Sequence, residues 1–459
     1  MKNQINMPFL IVITMVSAMG GLLFGYDWVV IGGAKPFYEA FFQITHATGV
    51  QGWVMSSALV GCLAGALVSG TLSDRFGRKK LLILSAILFT LSALGTGGAN
   101  HINTFVIYRI LGGLGIGMAS VLSPIYIAEM APAHLRGRFV SINQLTIVIG
   151  ILLAQVINFL VAKPVPEGYP DAMILASWNG QMGWRWMFWA ETFFSVTFLV
   201  LAFFIPESPR WLYKANKGSE GQKIISRLGG AEYAARVEAE IMETLANDTA
   251  RVDFRDLKKP GVKRIILIGA AIAILQQWCG INTVFNYADE IFTAAGYGVS
   301  QMLLNVVLVG SVNLVFTLVA MQLIDRIGRR FLLLLGYGGL TVIFAFFGGF
   351  YQAGLTGIVM LISVMMATAL YAMTLAPTTW VVLSEIFPNR VRGVAMSIAT
   401  FALWSACFIL TYTFPALNEG LGASGTFWLY GGICLLGFFF IRKFLAETKG
   451  KSLEEIESI

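Results

Sequence analysis

The chain has 459 residues, of which 57% are hydrophobic and only 12% charged, with a formal net charge of +7. Soluble domains carry about 25% charged residues, so a water-soluble globular protein is excluded, and a mean hydropathy of +0.73 points the same way. The long unbroken apolar runs also exclude a β-barrel, whose strands are about ten residues long and alternate in polarity.

Taken in chain order, apolar runs of roughly 18 or more residues mark transmembrane helices, because about 20 helical residues cross the hydrocarbon core. Twelve such runs occupy 8–33, 50–72, 81–98, 103–127, 139–162, 186–205, 264–287, 299–324, 331–353, 356–382, 393–415 and 424–444. They predict an all-α membrane protein with twelve transmembrane helices. The first run is too long for a signal-peptide core and lacks an A-x-A ending, so no cleavable leader is expected. With the N-terminus inside, Lys35, Lys163 and Arg185 are the basic residues left to external loops, and Arg109 falls within a run. The other Lys and Arg residues collect on the cytoplasmic side, a strong positive-inside bias. The net charge therefore follows from topology, and no nucleic-acid partner is expected. Cys62, Cys279, Cys407 and Cys434 all lie in spans without paired spacing and read as reduced, small apolar residues.

The segment 206–263 is the one long charged stretch, with apolar residues at helical spacing that predict short amphipathic cytoplasmic helices. The expected organisation is a six-helix bundle at 1–205, a helical linker at 206–263, a second six-helix bundle at 264–445 and a cytoplasmic tail at 446–459. The two halves repeat each other. "GTLSDRFGRKK" (70–80) follows span two and "MQLIDRIGRRF" (321–331) follows span eight, which places Asp74 and Asp325 in equivalent turns. "AEMAPAHLRGR" (128–138) follows span four and "SEIFPNRVRGV" (384–394) follows span ten, which pairs Glu129 with Glu385. Motifs recurring in one order at nearly one offset imply duplication of a six-helix unit. In each turn the Asp is expected to accept from helix N-terminal N–H groups and an Arg to pair with a carboxylate of the neighbouring loop. Gly77 and Gly328 permit the tight bend. Duplicated halves suit alternating access around a central site.

These residues carry a resemblance. "GLLFGYD" (21–27), "DRFGRK" (74–79), "YIAEMAPAHLRG" (126–137), "PESPRWL" (206–212), "QQWCGIN" (276–282), "DRIGRR" (325–330), "WVVLSEIFPNRVRG" (380–393) and "ETKG" (447–450) are similar to the sugar porter family of the major facilitator superfamily. Within it the sequence resembles the bacterial xylose–proton symporters most and the facilitative glucose transporters more distantly. The resemblance covers the chain from the first span to the tail and implies the major facilitator fold. It also assigns conformational-switch roles to Asp74, Arg75, Gly77, Arg78, Glu129, Arg136, Glu207, Arg210, Asp325, Arg326, Gly328, Arg329, Glu385 and Arg392. Ala446 departs from the family's terminal motif, which starts with Pro.

Three ionisable residues interrupt spans: Asp27 late in the first, Arg109 early in the fourth and Glu191 early in the sixth. At about 1.5 Å of rise per residue, all three fall at similar depth in the outer part of the membrane. Charges there cost about 3 kcal/mol or more each, so they should face the interior and pair. One reading is a static Asp27–Arg109 pair that locks helices together. The other is a proton site, in which separating the helices takes Arg109 away and changes the proton affinity of Asp27. The resemblance favours the second, because the symporters carry Asp at this position and the facilitators a neutral residue. Asp27 is then the proton acceptor, Arg109 its partner and Glu191 a helper in the relay.

The stretch "QQWCGINTVFNY" (276–287) sets Gln276, Gln277, Asn282 and Asn286 in an otherwise apolar environment. Unsatisfied polar groups in a membrane cost several kcal/mol each, so these amides face partners or a water-filled cavity, with Gly280 as a point where the helix loosens. Interhelical bonding is the structural alternative. Gln144, Asn313, Trp380 and Trp404 add amides and indoles in other spans. Together they fit a sugar, whose hydroxyls take amide bonds and whose C–H face lies on an aromatic ring. Neutral amides argue against phosphate or carboxylate substrates. The resemblance places Gln144, Gln276, Gln277, Asn282, Asn313 and Trp380 at sugar-contact positions, with Phe24 and Trp404 as aromatics near the site. Asn286 stands where relatives have Tyr, Leu403 where the xylose symporters have Gln and Cys407 where Asn is common, so the sugar is left open between a pentose such as xylose and a hexose such as glucose.

The expectation is a secondary active transporter that moves a neutral monosaccharide inward with a proton. It would work as a monomer in the lipid bilayer of the cell (inner) membrane, with both termini cytoplasmic and without a cofactor. A facilitative uniporter is the alternative, and a sugar sensor would carry a longer soluble tail. An enzyme is not expected: His46, His101 and His134 sit at loops or span ends, and metal-ligand spacing and G-x-x-x-x-G-K are both absent from the sequence. The triplet Asn247-Asp248-Thr249 falls in the cytoplasmic segment. "GGFYQAGLTG" (348–357) and "TFPAL" (413–417) read as loop punctuation, whereas Pro377, which removes a backbone bond inside span ten, is the hinge candidate.

Overall fold

A computed structural model describes residues 5–166, 170–247, 259–387 and 391–447, with the side chains of 246, 247, 260, 325 and 392 left aside. Among the described residues ten helical stretches are long and apolar enough to cross a membrane. In the first half these are α1 (Met7–Phe42), α2 (Thr48–Phe76), α3 (Arg78–Gly97), α4 (Ile102–Met130) and α5 (Arg136–Val161). A short α6 (Asp171–Ala176) and a π-helical turn (Asn179–Gly183) lead into α7 (Trp184–Ala202), whose hydropathy Arg185 and Glu191 dilute. The charged middle holds α8 (Pro209–Lys214) and α9 (Gly218–Asn247), the latter bent at Gly230.

The seventh span is broken into α10 (Pro260–Trp278) and α11 (Ile281–Asn286), and α12 (Ala288–Ala294) follows it. α13 (Val299–Ile327) and α14 (Arg329–Gln352) follow, then a second broken span made of α15 (Ile358–Met373) and α16 (Leu375–Ile386). α17 (Arg392–Phe444) contains the last two spans, divided at Gly422, whose φ of 68° interrupts the helix. Counting α7 and both parts of α17, the spans number twelve, and the architecture is that of the major facilitator fold.

Small residues let these helices touch. A Cβ on Gly25 would meet the Ile147 carbonyl oxygen at 1.9 Å and one on Gly150 the Leu22 oxygen at 2.0 Å, so α1 and α5 pack backbone to backbone. Gly61 and Gly113 do the same for α2 and α4. In lipid, where apolar side chains gain nothing by leaving their surroundings, such close packing holds helices together. The halves meet along α2 with α17 and α5 with α13. The N-terminus lies beside α9, with Asn6 N–H donating to the Leu228 carbonyl at 2.7 Å. This end of the molecule is the α9 face, and the other is the far face.

Two expectations are corrected here. α1 does not end near residue 33 but runs through Pro36 to Phe42, so Lys35 is a helical residue, 1% exposed, and not part of a loop. "TFPAL" is not a span end either: α17 passes through Pro415 and breaks only at Gly422. At both positions buried packing outweighs a single proline, and in α1 also the Gly32–Gly33 pair, which is buried inside the helix.

Candidate functional site

α1, α4 and α7 bring Asp27, Arg109 and Glu191 into the protein interior, at 1%, 2% and 0% exposure. Arg109 Nη1 donates to Asp27 Oδ1 in a short contact and to the Asp27 carbonyl oxygen at 3.2 Å. Its guanidinium also stands 5.9 Å from the Phe188 ring centroid. Among the described residues Asp27 Oδ2, Arg109 Nε and both oxygens of Glu191 have no hydrogen-bond partner. Glu191 is within electrostatic reach of both Asp27 and Arg109. The sequence missed the residue that makes room for the pair: a Cβ on Gly112 would lie 2.6 Å from Asp27 Oδ2 and 2.3 Å from Ser92 Oγ.

The amides form one chain. Gln276 Nε2 donates to the Tyr371 hydroxyl at 2.5 Å, Gln277 Nε2 to Gln276 Oε1 at 2.8 Å, and Asn282 Nδ2 to Gln277 Oε1 in a short contact. Asn282 Nδ2 also reaches Cys407 Sγ at 3.6 Å. The break expected at Gly280 is present: its φ is 84°, a region that favours glycine, and it caps α11. Asn286 is buried with Oδ1 unpartnered. Asn313 is buried on α13, and Gln144 is half-buried on α5. Across from the amides, Phe24, Trp28 and Trp404 form an aromatic triangle with centroids 5.9–6.2 Å apart. Trp404 is 5% exposed, and its Nε1 donor has no partner. Trp380 on α16 is 38% exposed. Phe24, one turn before Asp27 on α1, packs on Trp404, and Asn282 reaches Cys407, one turn after Trp404 on α17, so the charge triad and the amide chain border a common interior.

The duplicated turns are built in parallel but differ from expectation in one respect. Arg78 Nη2 pairs with Glu129 at 3.0 Å, and Arg329 Nη2 with Glu385 at 3.1 Å, as the pattern predicted. The N-terminal amides of α3, however, do not donate to Asp74. Those of Arg78 and Lys79 donate to Glu207 at 2.9 and 3.1 Å, and those of Arg329 and Arg330 to Glu447 at 2.9 and 3.0 Å. Asp74 instead pairs with Lys214 at 2.9 Å and Arg78 at 3.3 Å. The reason is position: Asp74 precedes the turn in α2 and is taken up by the Arg78 and Lys214 side chains, while Glu207 lies over the start of α3. Gly77 and Gly328 adopt φ of 95° and 106°. Arg75 stacks on Phe76 at 5.2 Å, and Arg136 Nε donates to the Ala128 carbonyl at 3.0 Å. Arg210 is in α8 and Arg326 ends α13. The side chains of Asp325 and Arg392, and residues 448–450 of "ETKG", lie outside the described set.

The family model described as "Sugar (and other) transporter" matches residues 13–459. The chain belongs to this family of sugar transporters. It is 37% identical to the D-xylose-proton symporter of Escherichia coli (strain K12), over 100% of this chain and 97% of that protein. It is 38% identical to the glucose transport protein of Synechocystis sp., over 99% of this chain and 98% of that protein. Among solved structures it superposes on the inward-open conformation of the xylose transporter XylE from E. coli with a TM-score of 0.85 at 36% identity, covering 98% of this chain and 99% of that one. As a sugar transporter the protein is not an enzyme.

Sequence reasoning did not find Trp28, Tyr371 or Glu447's partnership with the turn at Gly328. Trp28 and Tyr371 carry no local signal, because an aromatic residue in an apolar run looks like lipid-facing or core packing. Glu447 has a faint local signal: "PES" at 206–208 and "AET" at 446–448 each place a Glu before a hydroxyl residue.

Proposed function

We propose that this protein is a secondary active transporter that carries a neutral monosaccharide, a pentose such as xylose or a hexose such as glucose, into the cell together with a proton. The observation that carries the reading is the buried triad. Two buried carboxylates stand near one guanidinium, which bonds Asp27 alone, and this leaves the group one proton short of neutrality in a region where unpaired charge is strongly disfavoured. A proton arriving at Asp27 neutralises it and dissolves its bond to Arg109. α1 is then released from α4, and Glu191 offers Arg109 another partner. The amide chain of Gln276, Gln277 and Asn282, with Asn286, Gln144 and Asn313, supplies donors and acceptors for sugar hydroxyls, while Phe24, Trp404 and Trp380 supply apolar faces and indole donors. Because the triad and the amides border one interior, sugar binding and proton binding bias the same rearrangement.

The positive-inside bias supports assigning the α9 face and both termini to the cytoplasm of a bacterial inner membrane. The far face is then external. Its closure is supported by the tight approach of the halves there: a Cβ on Gly32 would meet the Phe285 carbonyl oxygen at 2.4 Å, and one on Gly52 the Tyr412 oxygen at 2.2 Å. The two bundles, 1–205 and 264–445, would rock about this interface. Every site residue comes from one chain, which supports a functional monomer.

The test is uptake of xylose and glucose into proteoliposomes with and without an inward proton gradient. Wild-type protein should accumulate one sugar only with the gradient. Asp27→Asn should lose accumulation while keeping sugar binding and exchange. Accumulation against a gradient by Asp27→Asn would sink the coupling assignment, and gradient-independent equilibration by the wild type would make the protein a uniporter with a structural Asp27–Arg109 pair.

A further inference from the structure

A second group of buried charges lies nearer the far face, two turns beyond Asp27 on α1. The Lys35 ammonium bonds three carboxylates: Glu39 Oε2 at 3.2 Å on the same helix, and Asp289 Oδ2 at 2.9 Å and Glu290 Oε1 at 2.8 Å on α12 of the other half. Gln51 of α2 donates to Glu39 Oε2 at 3.1 Å and to the Thr45 carbonyl at 2.9 Å. Tyr38 flanks the group, and the Tyr287 ring lies 5.7 Å from Lys35 Nζ. Lys35 and Glu39 are 1% and 2% exposed. Among the described residues Glu39 Oε1, Asp289 Oδ1 and Glu290 Oε2 are buried without a hydrogen-bond partner.

Three carboxylates against one ammonium leave two excess negative charges at the seam between the halves. A buried anionic oxygen without a donor is strongly disfavoured, and a carboxylic acid in its place removes the charge. We propose that this cluster is a further proton-binding site, seated on Glu39 and Glu290, that takes up a proton from outside when the far face closes and returns it when the far face opens. The proton enters and leaves on the same side, so it controls the gate and is not transported. Glu290 lies on α12, beyond the end of the seventh span: burial lifts its carboxyl to about 7, Lys35 pulls it back and Asp289 pushes it up.

The sign follows from linkage. Opening hydrates the carboxylates and returns them toward about 4.3, the ordinary Glu value. The closed state therefore binds protons more tightly, is favoured in acid, and loses that advantage as pH rises through about 7. Acid outside holds the gate shut behind a loaded transporter, and a more alkaline exterior favours reopening.

The proposal rests on the alternating-access reading, and its test separates the two. Spin labels on cysteines introduced at the exposed positions Asn103 and Leu355 report the far-face distance in the full chain. The background is Asp27→Asn, so that the transported proton's site does not respond. Between pH 4.5 and 7 the open-to-closed ratio should rise by up to about tenfold per pH unit for each proton released. With Glu39→Gln and Glu290→Gln together, the ratio should change less than about twofold over the same range and stay closed. Lys35→Met removes the cation paired with both carboxyls and should move the transition to higher pH, which serves as a second reading if the double variant is poorly folded. A distance that responds to sugar but not to pH overturns the external site alone, as does a pH response that survives the double Gln substitution. A distance fixed under all sugar and pH conditions overturns this proposal and alternating access together.

Discussion

Gly112 faces the Asp27 carboxylate with no side chain of its own, which leaves that carboxylate its room. An added methyl group would lie 2.6 Å from Asp27 Oδ2 and 2.3 Å from Ser92 Oγ. Gly112→Ala should therefore displace Asp27 from Arg109 and reduce proton-driven uptake at least tenfold in proteoliposomes, with sugar equilibrium exchange affected much less. The amides make a different prediction. A site that reads hydroxyls is sensitive to a lost partner, because the unmatched polar group stays buried. Asn282→Ala should raise the sugar Kd by about tenfold or more, measured by isothermal titration, and Tyr371→Phe should weaken binding less, since Gln276 keeps its carbonyl free for Gln277. Asp27, Arg109, Glu191 and the amides stood out in the sequence because polar groups in apolar runs must find partners or water at that depth. Trp28, Tyr371 and Gly112 were not, because apolar runs are full of aromatics and glycines, and only packing reveals which of them face the site.

At the scale of elements, the breaks in the seventh and tenth spans separate two kinds of helix interruption. At Gly280 the backbone is left-handed, and a Cβ would also meet the Tyr430 ring at 2.6 Å. Gly280→Ala should lower thermal stability and slow transport, as strain of about 1–2 kcal/mol adds to the ring contact. Pro377 behaves differently from expectation. The helix is already interrupted at Thr374, with φ −120° and ψ −77°, so Pro377 sits in the first turn of α16. There its missing N–H costs little, and Pro377→Ala should leave the transport rate within about twofold by the same uptake assay. The two duplicated turns belong to this scale as well. A carboxylate at a helix N-terminus contributes about 0.3–1 kcal/mol, and up to about 2 when partly buried. Glu207→Gln combined with Glu447→Gln should therefore lower the melting temperature by several degrees without altering the sugar Kd. An unchanged melting temperature would mean that the two carboxylates only mark the turns.

At the scale of the whole molecule, the interface between the halves decides which side is open. α5 and α13 approach so closely that a Cβ on Gly310 would fall 1.7 Å from Gln155 Oε1. A tryptophan at Gly310 should wedge the far face apart, abolish net transport and leave sugar binding intact, with the far-face spin-label distance increased at every pH. If Gly310→Trp still transports, the halves do not need this seam to close.

The sequence by itself determined the membrane class, the number of spans, the duplication and the residue types of both polar groups. Each of these follows from one-dimensional rules: the length of a helix that crosses a bilayer, the recurrence of motifs and the cost of a lone polar group in lipid. Tertiary structure alone decided which carboxylate caps which helix, that Lys35 is buried rather than exposed in a loop, and that one ammonium at the seam gathers three carboxylates from two halves. Those outcomes depend on distances between residues far apart in the chain, as with Lys35 and Glu290 at 2.8 Å. No periodicity or composition encodes such a distance, because it exists only once the two halves have packed against each other.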